Sequence, residues 1–446
     1  MIDVKKLREN PAPYYESCEI RGYGKDIIDK FLDLDNQWKE ALKKRNLLNH
    51  ERNLLSREVS SLIKTGRDAS QVLSKVRELK NEIAQIEDSL RRLEIKREEA
   101  ASAIPNLLHS SVPRCKGDEN NKLVRYYGTA RVFSEDIPYF KKNSGGSNDY
   151  DMLGKRPLSH VDLEAKLGLV DLKRAGKIAG SRFYFLKDRL LKLELALVNF
   201  AVDFLSERGF TIVEPPFMIN RRSLEGSTDM ETFNDAIYKI ENEDLYLIAT
   251  SEHPIASMLQ DEILNEDELP IRVGGLSPCF RREAGSHGKD TKGIFRVHQF
   301  YKVEQFVFCK EDDSWDFLEE ILANAEEIYK ILQIPYRVVN VCSGELSVLN
   351  AKKYDIEGWF PSQGKFRELV SASNNTDFQG RSLSIRWRSS DGNKIVNTLN
   401  STAIATTRTM VAIMENYQLE DGSGFRIPKA LWPYTGFESI ALDDQS

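Results

Sequence analysis

Residues 26–101 repeat apolar side chains every three or four positions, and that spacing dictates how this part of the chain must fold. Stepping from Ile27 gives Phe31, Leu34, Trp38, Ala41, Arg45, Leu48, Arg52, Leu55, Val59 and Leu62, apolar at nine of eleven positions. A second run, Val72, Val76, Leu79, Ile83, Ile86, Leu90, Leu93, Arg97 and Ala100, is apolar at eight of nine. A seam of this period places one stripe of a helix against a partner helix. Lys64-Thr-Gly-Arg-Asp-Ala-Ser separates the two runs, with Gly66 suited to ending a helix. So short a link forces the helices antiparallel, each roughly 45–60 Å long at 1.5 Å per residue. A hairpin of that length is expected to project as an arm.

Periodicity alone does not say what such an arm binds. Sixteen basic and fifteen acidic residues balance over 26–100, although Lys43-Lys44-Arg45, Arg91-Arg92 and Lys96-Arg97 are bunched. A dimerising or partner-binding coiled coil and a nucleic-acid-binding arm fit equally well. The whole chain, 446 residues with a net charge of -6, is long enough for two or three domains. Its acidic balance argues against general nucleic-acid coating but not against a local basic surface. No apolar run approaches the ~18 residues of a membrane span, and the N-terminus has no apolar signal-type core, so neither a membrane nor a secreted protein is expected. Cys18, Cys115, Cys279, Cys309 and Cys342 are scattered without a C-x-x-C pair. They are expected as free thiols in a reducing compartment, with neither disulfides nor a zinc site.

Ile104-Pro and Val112-Pro mark a linker after the hairpin, and Asn143-Ser-Gly-Gly-Ser-Asn-Asp marks a loop. Beyond them, helices are expected around 188–208, 312–332 and 401–417. Strands are expected at 210–213, 244–248, 295–308, 336–341, 354–360, 367–373 and 382–388. Strands interleaved with irregular segments, without steady βαβ alternation, predict a largely antiparallel α+β domain.

Phosphate-loop, dinucleotide-loop, H-E-x-x-H and nucleophile-elbow patterns are missing. Polar residues set in strand-like sequence remain. Residues 279–306 read as two strand ends around a Gly- and charge-rich loop, and Arg281 and Glu283, two apart, are expected on one strand face. Phe300 and Glu304 share a face by the same rule. An arginine, a ring and a carboxylate on one sheet suit a phosphate, a base and an amine. Arg408, early in an apolar helix, opposes the helix dipole and calls for an anion, or else forms a structural salt bridge.

Together these residues bring a family into view. Arg281-x-Glu283 resembles motif 2 of the class II aminoacyl-tRNA synthetases, the helix with Arg408 resembles motif 3, and Gly209-Phe-Thr-Ile-Val-Glu-Pro-Pro-Phe resembles motif 1. Thr250-Ser-Glu252, Phe-Arg-Val-His-Gln-Phe ending at Phe300, Glu368-Leu-Val-Ser371 and the long hairpin resemble the seryl-tRNA synthetases, closest to the archaeal/eukaryotic type. The resemblance spans the whole chain. It implies an N-terminal tRNA-binding domain over 1–105 and a class II antiparallel-sheet catalytic domain over 106–446. It further implies activation of L-serine with ATP and transfer to tRNA(Ser), with tRNA(Sec) left open, by a cytoplasmic homodimer.

The resemblance also implies roles. Arg281 holds the α-phosphate, Glu283 lies near the adenine amino group, Phe300 stacks on adenine and Arg408 clamps the far end of ATP. Arg282, Val297, His298, Gln299, Leu369 and Val370 join the ATP site. Glu368 and Ser371 ligate Mg²⁺, and no zinc is expected. Thr250, Ser251, Glu252, Glu304, Asn400 and Thr402 select serine. The sequence departs from the family's usual wording at Asn375, where a cysteine is usual, at Gly380-Arg381-Ser382, and across Ser343–Ser347. Two other readings stay open: a carrier-protein aminoacylating paralogue, which would lack the hairpin, and a non-catalytic scaffold on the same fold.

Overall fold

The computed structural model describes residues 1–229, 235–283 and 292–442. The chain divides into two compact units, Ile2–Pro105 and Asn106–Ser446, the latter joined by Met1.

In the first unit, two short helices, α1 (Val4–Glu9) and α2 (Ala12–Arg21), precede the hairpin of α3 (Asp26–Lys64) and α4 (Ser70–Ser102). Every seam position named above is buried or half-buried, whereas most of its neighbours are exposed. Each fully buried aliphatic seam residue contributes roughly 1.5–3 kcal/mol. Gly66, at φ +69°, ends α3 in a left-handed conformation that a side chain would strain. The base of the hairpin holds a charge that apolar periodicity could not reveal. Asp35 is 1% exposed and accepts hydrogen bonds from Arg8, with Lys39 at 2.9 Å and Arg97 at 3.7 Å. The Arg97 guanidinium also lies 4.5 Å from the Trp38 ring centre.

The second unit is built on an eight-stranded sheet: β1 (Lys122–Tyr127), β2 (Thr211–Val213), β3 (Ile271–Phe280), β4 (Gln299–Cys309), β5 (Tyr336–Asn340), β6 (Lys352–Phe360), β7 (Lys365–Asn374) and β8 (Asn397–Ala405). Its order is β1-β5-β6-β7-β8-β4-β3-β2, and only the β3–β2 pair is parallel. The expected antiparallel α+β class is therefore the observed one. Helices α5 (Asp188–Ser206), α6 (Glu252–Ser257), α7 (Ser314–Ile331), α8 (Phe378–Ser382) and α9 (Thr406–Asn416) surround it.

Strand β4 separates the two sides by alternation. Val303, Val307 and Cys309 enter the larger core with residues of α5, α7 and α9. Phe306 and Phe308 enter a smaller core with Ile255 and Trp387. On that second side, nearer the start of β4, lie Lys302 and Glu304.

Several expectations need correction. Residues 401–405 belong to β8, and the helix begins only at Thr406; nine consecutive buried, mostly small residues form a central strand despite low strand propensity. Residues 295–298 precede β4 rather than extending it, so Val297 and His298 are not strand residues. Residues 378–382 are helical, and the following strand runs only from Arg386 to Ser389. Cys115 and Cys342, expected free, are joined as a disulfide across 227 positions. Backbone bonds from Ser343 N to the Pro113 carbonyl (2.9 Å) and from Gly344 N to the Cys115 carbonyl (3.0 Å) bring them together. Cys18, Cys279 and Cys309 are free and buried.

Candidate active site

Strand β3 ends at Phe280, so Arg281 and Glu283 are not strand neighbours as expected. Glu283 has φ +51°, a left-handed conformation incompatible with a continued strand. Residues 284–291, where the sequence predicts a loop, lie outside the described residues. Two contacts anchor this turn: Arg281 N donates to the His298 carbonyl (2.9 Å), and Arg282 N to the Ala236 carbonyl (2.8 Å). His298 Nδ1 lies 2.6 Å from the Arg281 carbonyl and 2.8 Å from the Tyr238 hydroxyl, and its ring stacks on Phe183 at 4.8 Å. His298 thus braces the backbone of the arginine. The Glu283 carboxylate accepts from Arg296 at 2.9 Å.

The Arg281 guanidinium lies 5.2 Å from the Phe300 ring centre, and its Nε donates to the Ala249 carbonyl at 3.2 Å. Motif 2 is thereby tied to the turn carrying Thr250, Ser251 and Glu252. A flat aromatic face beside a fixed cation suits a base and its phosphate.

Next to it a carboxylate pair is buried. Asn400 Nδ2, on β8, donates to Glu252 (3.0 Å) and Glu304 (3.3 Å). Gln379 Nε2 donates to the other Glu252 oxygen at 3.0 Å. Lys302 pairs with Glu304, and its Nζ lies 3.5 Å from the Thr250 hydroxyl. Burial first, and then the Glu304 charge, push the Glu252 carboxyl up to about 7. Thr402 is the cross-strand partner of Glu304 at a bulge in the β4–β8 ladder. Ser251 is fully buried with its hydroxyl donating to the Gly275 carbonyl (3.2 Å), which braces the turn. His253, also buried, is driven down to about 3 by burial and the nearby cations, which keeps it neutral.

A third group gathers on β6, β7 and α9. Arg408 Nη1 donates to the Glu368 carboxylate (2.9 Å) and to its carbonyl (3.1 Å). Burial would raise the Glu368 carboxyl, but Arg408, then Lys353, hold it well below the usual carboxylate range. The Ser371 hydroxyl donates to Asp355 at 2.8 Å, and burial pushes the Asp355 carboxyl up. Leu369 and Val370 are buried apolar residues whose side chains join the core. Among the described residues no cluster of three or more His, Cys, Asp or Glu could hold a metal ion. A hard cation shared with phosphates needs only one or two protein oxygens, and Glu368 with Ser371 supplies that many.

Three contributors went unread in the sequence. Lys302 stands two positions from both Phe300 and Glu304, so strand alternation places it on their face. Phe295 carries two cations over its ring, Arg367 at 4.3 Å and Arg408 at 5.5 Å. Gln379 stands between Asn375 and Gly380, in the stretch where the wording departs from the family's, and no local pattern marks it as a donor to the site.

Residues 1–108 match the seryl-tRNA synthetase N-terminal domain, and residues 236–417 match the class II tRNA synthetase core domain (G, H, P, S and T). Serine–tRNA ligase of Picrophilus torridus is 64% identical over 444 residues, covering 100% of both chains. The crystal structure of seryl-tRNA synthetase from Pyrococcus horikoshii complexed with ATP superposes with a TM-score of 0.93 at 49% identity, over 99% of each chain. That of the cytoplasmic serine-tRNA ligase of Naegleria fowleri in complex with AMP has a TM-score of 0.83 at 35% identity, again over 99% of each.

Proposed function

The chain belongs to the serine–tRNA ligases, class II aminoacyl-tRNA synthetases, and we propose that its cleft divides their reaction among the residues described above. The serine carboxylate attacks the α-phosphorus of ATP in line and pyrophosphate departs; a hydroxyl at the 3′ end of tRNA(Ser) then takes the seryl group from the adenylate as an ester, and AMP departs. Activation of this kind needs reactants held in line and phosphate charge offset, more than it needs a general base.

Arg281 takes the α-phosphate, with Phe300 under the adenine and Glu283 toward its amino group. Arg408 takes the terminal phosphates. The Arg408–Glu368 pair supports this role, because ATP and its counterion offer each partner a better-matched charge: phosphate for the guanidinium, cation for the carboxylate. Glu368 and Ser371 would hold Mg²⁺, which would supply further neutralisation of the phosphates. Glu252 and Glu304 pair with the serine ammonium, while Thr250, Asn400 and Thr402 complete a small polar pocket for the hydroxyl. Alanine would leave those buried groups unpaired, which penalises it. Arg282, Gln299 and the backbone at Leu369 and Val370 frame the nucleotide.

We assign the hairpin Asp26–Ser102 to tRNA, whose backbone Lys43, Lys44, Arg45, Arg91 and Arg92 can meet; these residues would read shape rather than base sequence. The active species on this reading is a homodimer formed through motif 1, and its place is the cytoplasm. The observation that carries the reading is the convergence of Glu252, Glu304 and Asn400 within hydrogen-bond distance, beside the Arg281–Phe300 pair. Incubation with ATP, labelled serine and a tRNA(Ser) transcript tests it. The expected product is an alkali-labile serine ester on the 3′ end, and an unlabelled transcript at full enzyme and substrate excess would reject it.

A further inference from the structure

Asn375, where the sequence departs from the family's usual cysteine, follows β7 and is fully buried. Its side-chain amide has three partners. Nδ2 donates to Gln379 Oε1 (3.3 Å) and to Asn400 Oδ1 (3.4 Å), and Oδ1 accepts from Asn350 Nδ2 (2.7 Å). Asn350 Oδ1 in turn accepts from the hydroxyl of Ser347, at 2.9 Å. Ser347 belongs to the second stretch in which the sequence departs from the usual wording. Both departures therefore meet in one buried network.

The network has a direction. A primary amide in a closed site can point its NH₂ or its oxygen toward a given partner, and its neighbours decide which. Gln379 Oε1 receives protons from Asn375 and from Thr398 Oγ1 (2.7 Å), so its NH₂ must face Ser227 and Glu252. Asn400 Oδ1 receives a proton from Asn375, so its NH₂ faces Glu252 and Glu304. Asn375 thus donates to both amides that in turn donate into the carboxylate pair, sharing Gln379 with Thr398. A thiol at this position has a single, weakly donated proton and could orient only one of them.

We propose that Asn375, held by Asn350 and Ser347, is a positioning residue that sets the serine pocket by orienting Asn400 and Gln379 toward Glu252 and Glu304. The inference rests on the reading of that pocket as the serine site. It predicts an effect on serine alone, because Asn375 contacts none of the groups assigned to ATP.

Serine-dependent ATP–pyrophosphate exchange with Asn375→Asp and Asn375→Cys tests it. Asp keeps the size but replaces the donor with an acceptor facing two oxygens. Its KM for serine should rise about tenfold, the scale of one buried hydrogen bond lost, with kcat and the KM for ATP within about twofold of the parent. The Cys variant should shift the same way by less, and preference for serine over alanine should fall in both. Unchanged serine KM in the folded variants, or equal rises for serine and ATP, would overturn the proposal. If the Asp variant does not fold, the Cys variant alone decides. A parent enzyme without serine-dependent exchange would instead overturn the pocket assignment itself.

Discussion

Arg408 lies across the sheet end from Glu368, donating to its carboxylate at 2.9 Å and to its carbonyl at 3.1 Å. Arg281 is likewise engaged, by the Ala249 carbonyl and the Phe300 ring. Both cations are pre-aimed by protein contacts, so neither has to be ordered by the nucleotide. Arg281→Ala and Arg408→Ala should each slow pyrophosphate exchange ~100-fold, or ~3 kcal/mol in activation free energy. Near-parental exchange in either variant removes the role given to that arginine.

Much of this was legible from side-chain pattern alone. The hairpin seam was, because apolar period and burial coincide residue by residue from Ile27 to Ala100. What escaped has physical causes. Strand β3 contains Gly274 and Gly275, residues uncommon inside strands; a Cβ there would come within 2.6 Å of Ile212 and 2.3 Å of Ile255, so close packing favours glycine inside this strand. Strand β8 is made of small polar residues that resemble a helix start. Arg281 and Glu283 do not share a strand, since β3 ends at Phe280 and the positive φ at Glu283 carries no sequence mark. The Cys115–Cys342 pair and the Asn350–Asn375 bond join positions distant in sequence, which spacing arguments cannot see.

The Glu252 carboxyl, raised to about 7 by burial and by Glu304 with Lys302, Gln379 and Arg281 opposing, is partly protonated near neutrality. An incoming ammonium favours the carboxylate, so serine binding should release a proton. At about pH 6.5, titration calorimetry in buffers of different ionisation enthalpy should show release, and kcat/KM for serine should climb toward pH 8. Proton uptake, or a serine response flat with pH, contradicts the assignment. The sign for stability is opposite: a raised carboxylate leaves the unfolded chain with fewer protons. Its contribution therefore falls as pH rises from the ordinary carboxylate range to about 7.

Dimerisation assigned to the catalytic unit should survive loss of the first 105 residues. Light scattering on the truncated chain should report twice the mass of one subunit. A monomer formed only on truncation would transfer dimerisation to the coiled coil.

Replacing residues 30–98 by a short turn should leave serine activation largely intact while abolishing charging of tRNA(Ser). It should also flatten the salt dependence of tRNA binding, because fewer counterions are released. Charging equal to the parent's would identify the arm as a surface for a protein partner.

Exchange of labelled pyrophosphate into ATP, measured with each amino acid and no tRNA, interrogates the activation step alone. Exchange should appear with serine, and alanine should lag by ~10⁴-fold in kcat/KM because it leaves the pocket's buried donors and acceptors unpaired. Exchange that ignores serine, or accepts alanine as readily, would contradict the assignment of Glu252, Glu304 and Asn400 to serine.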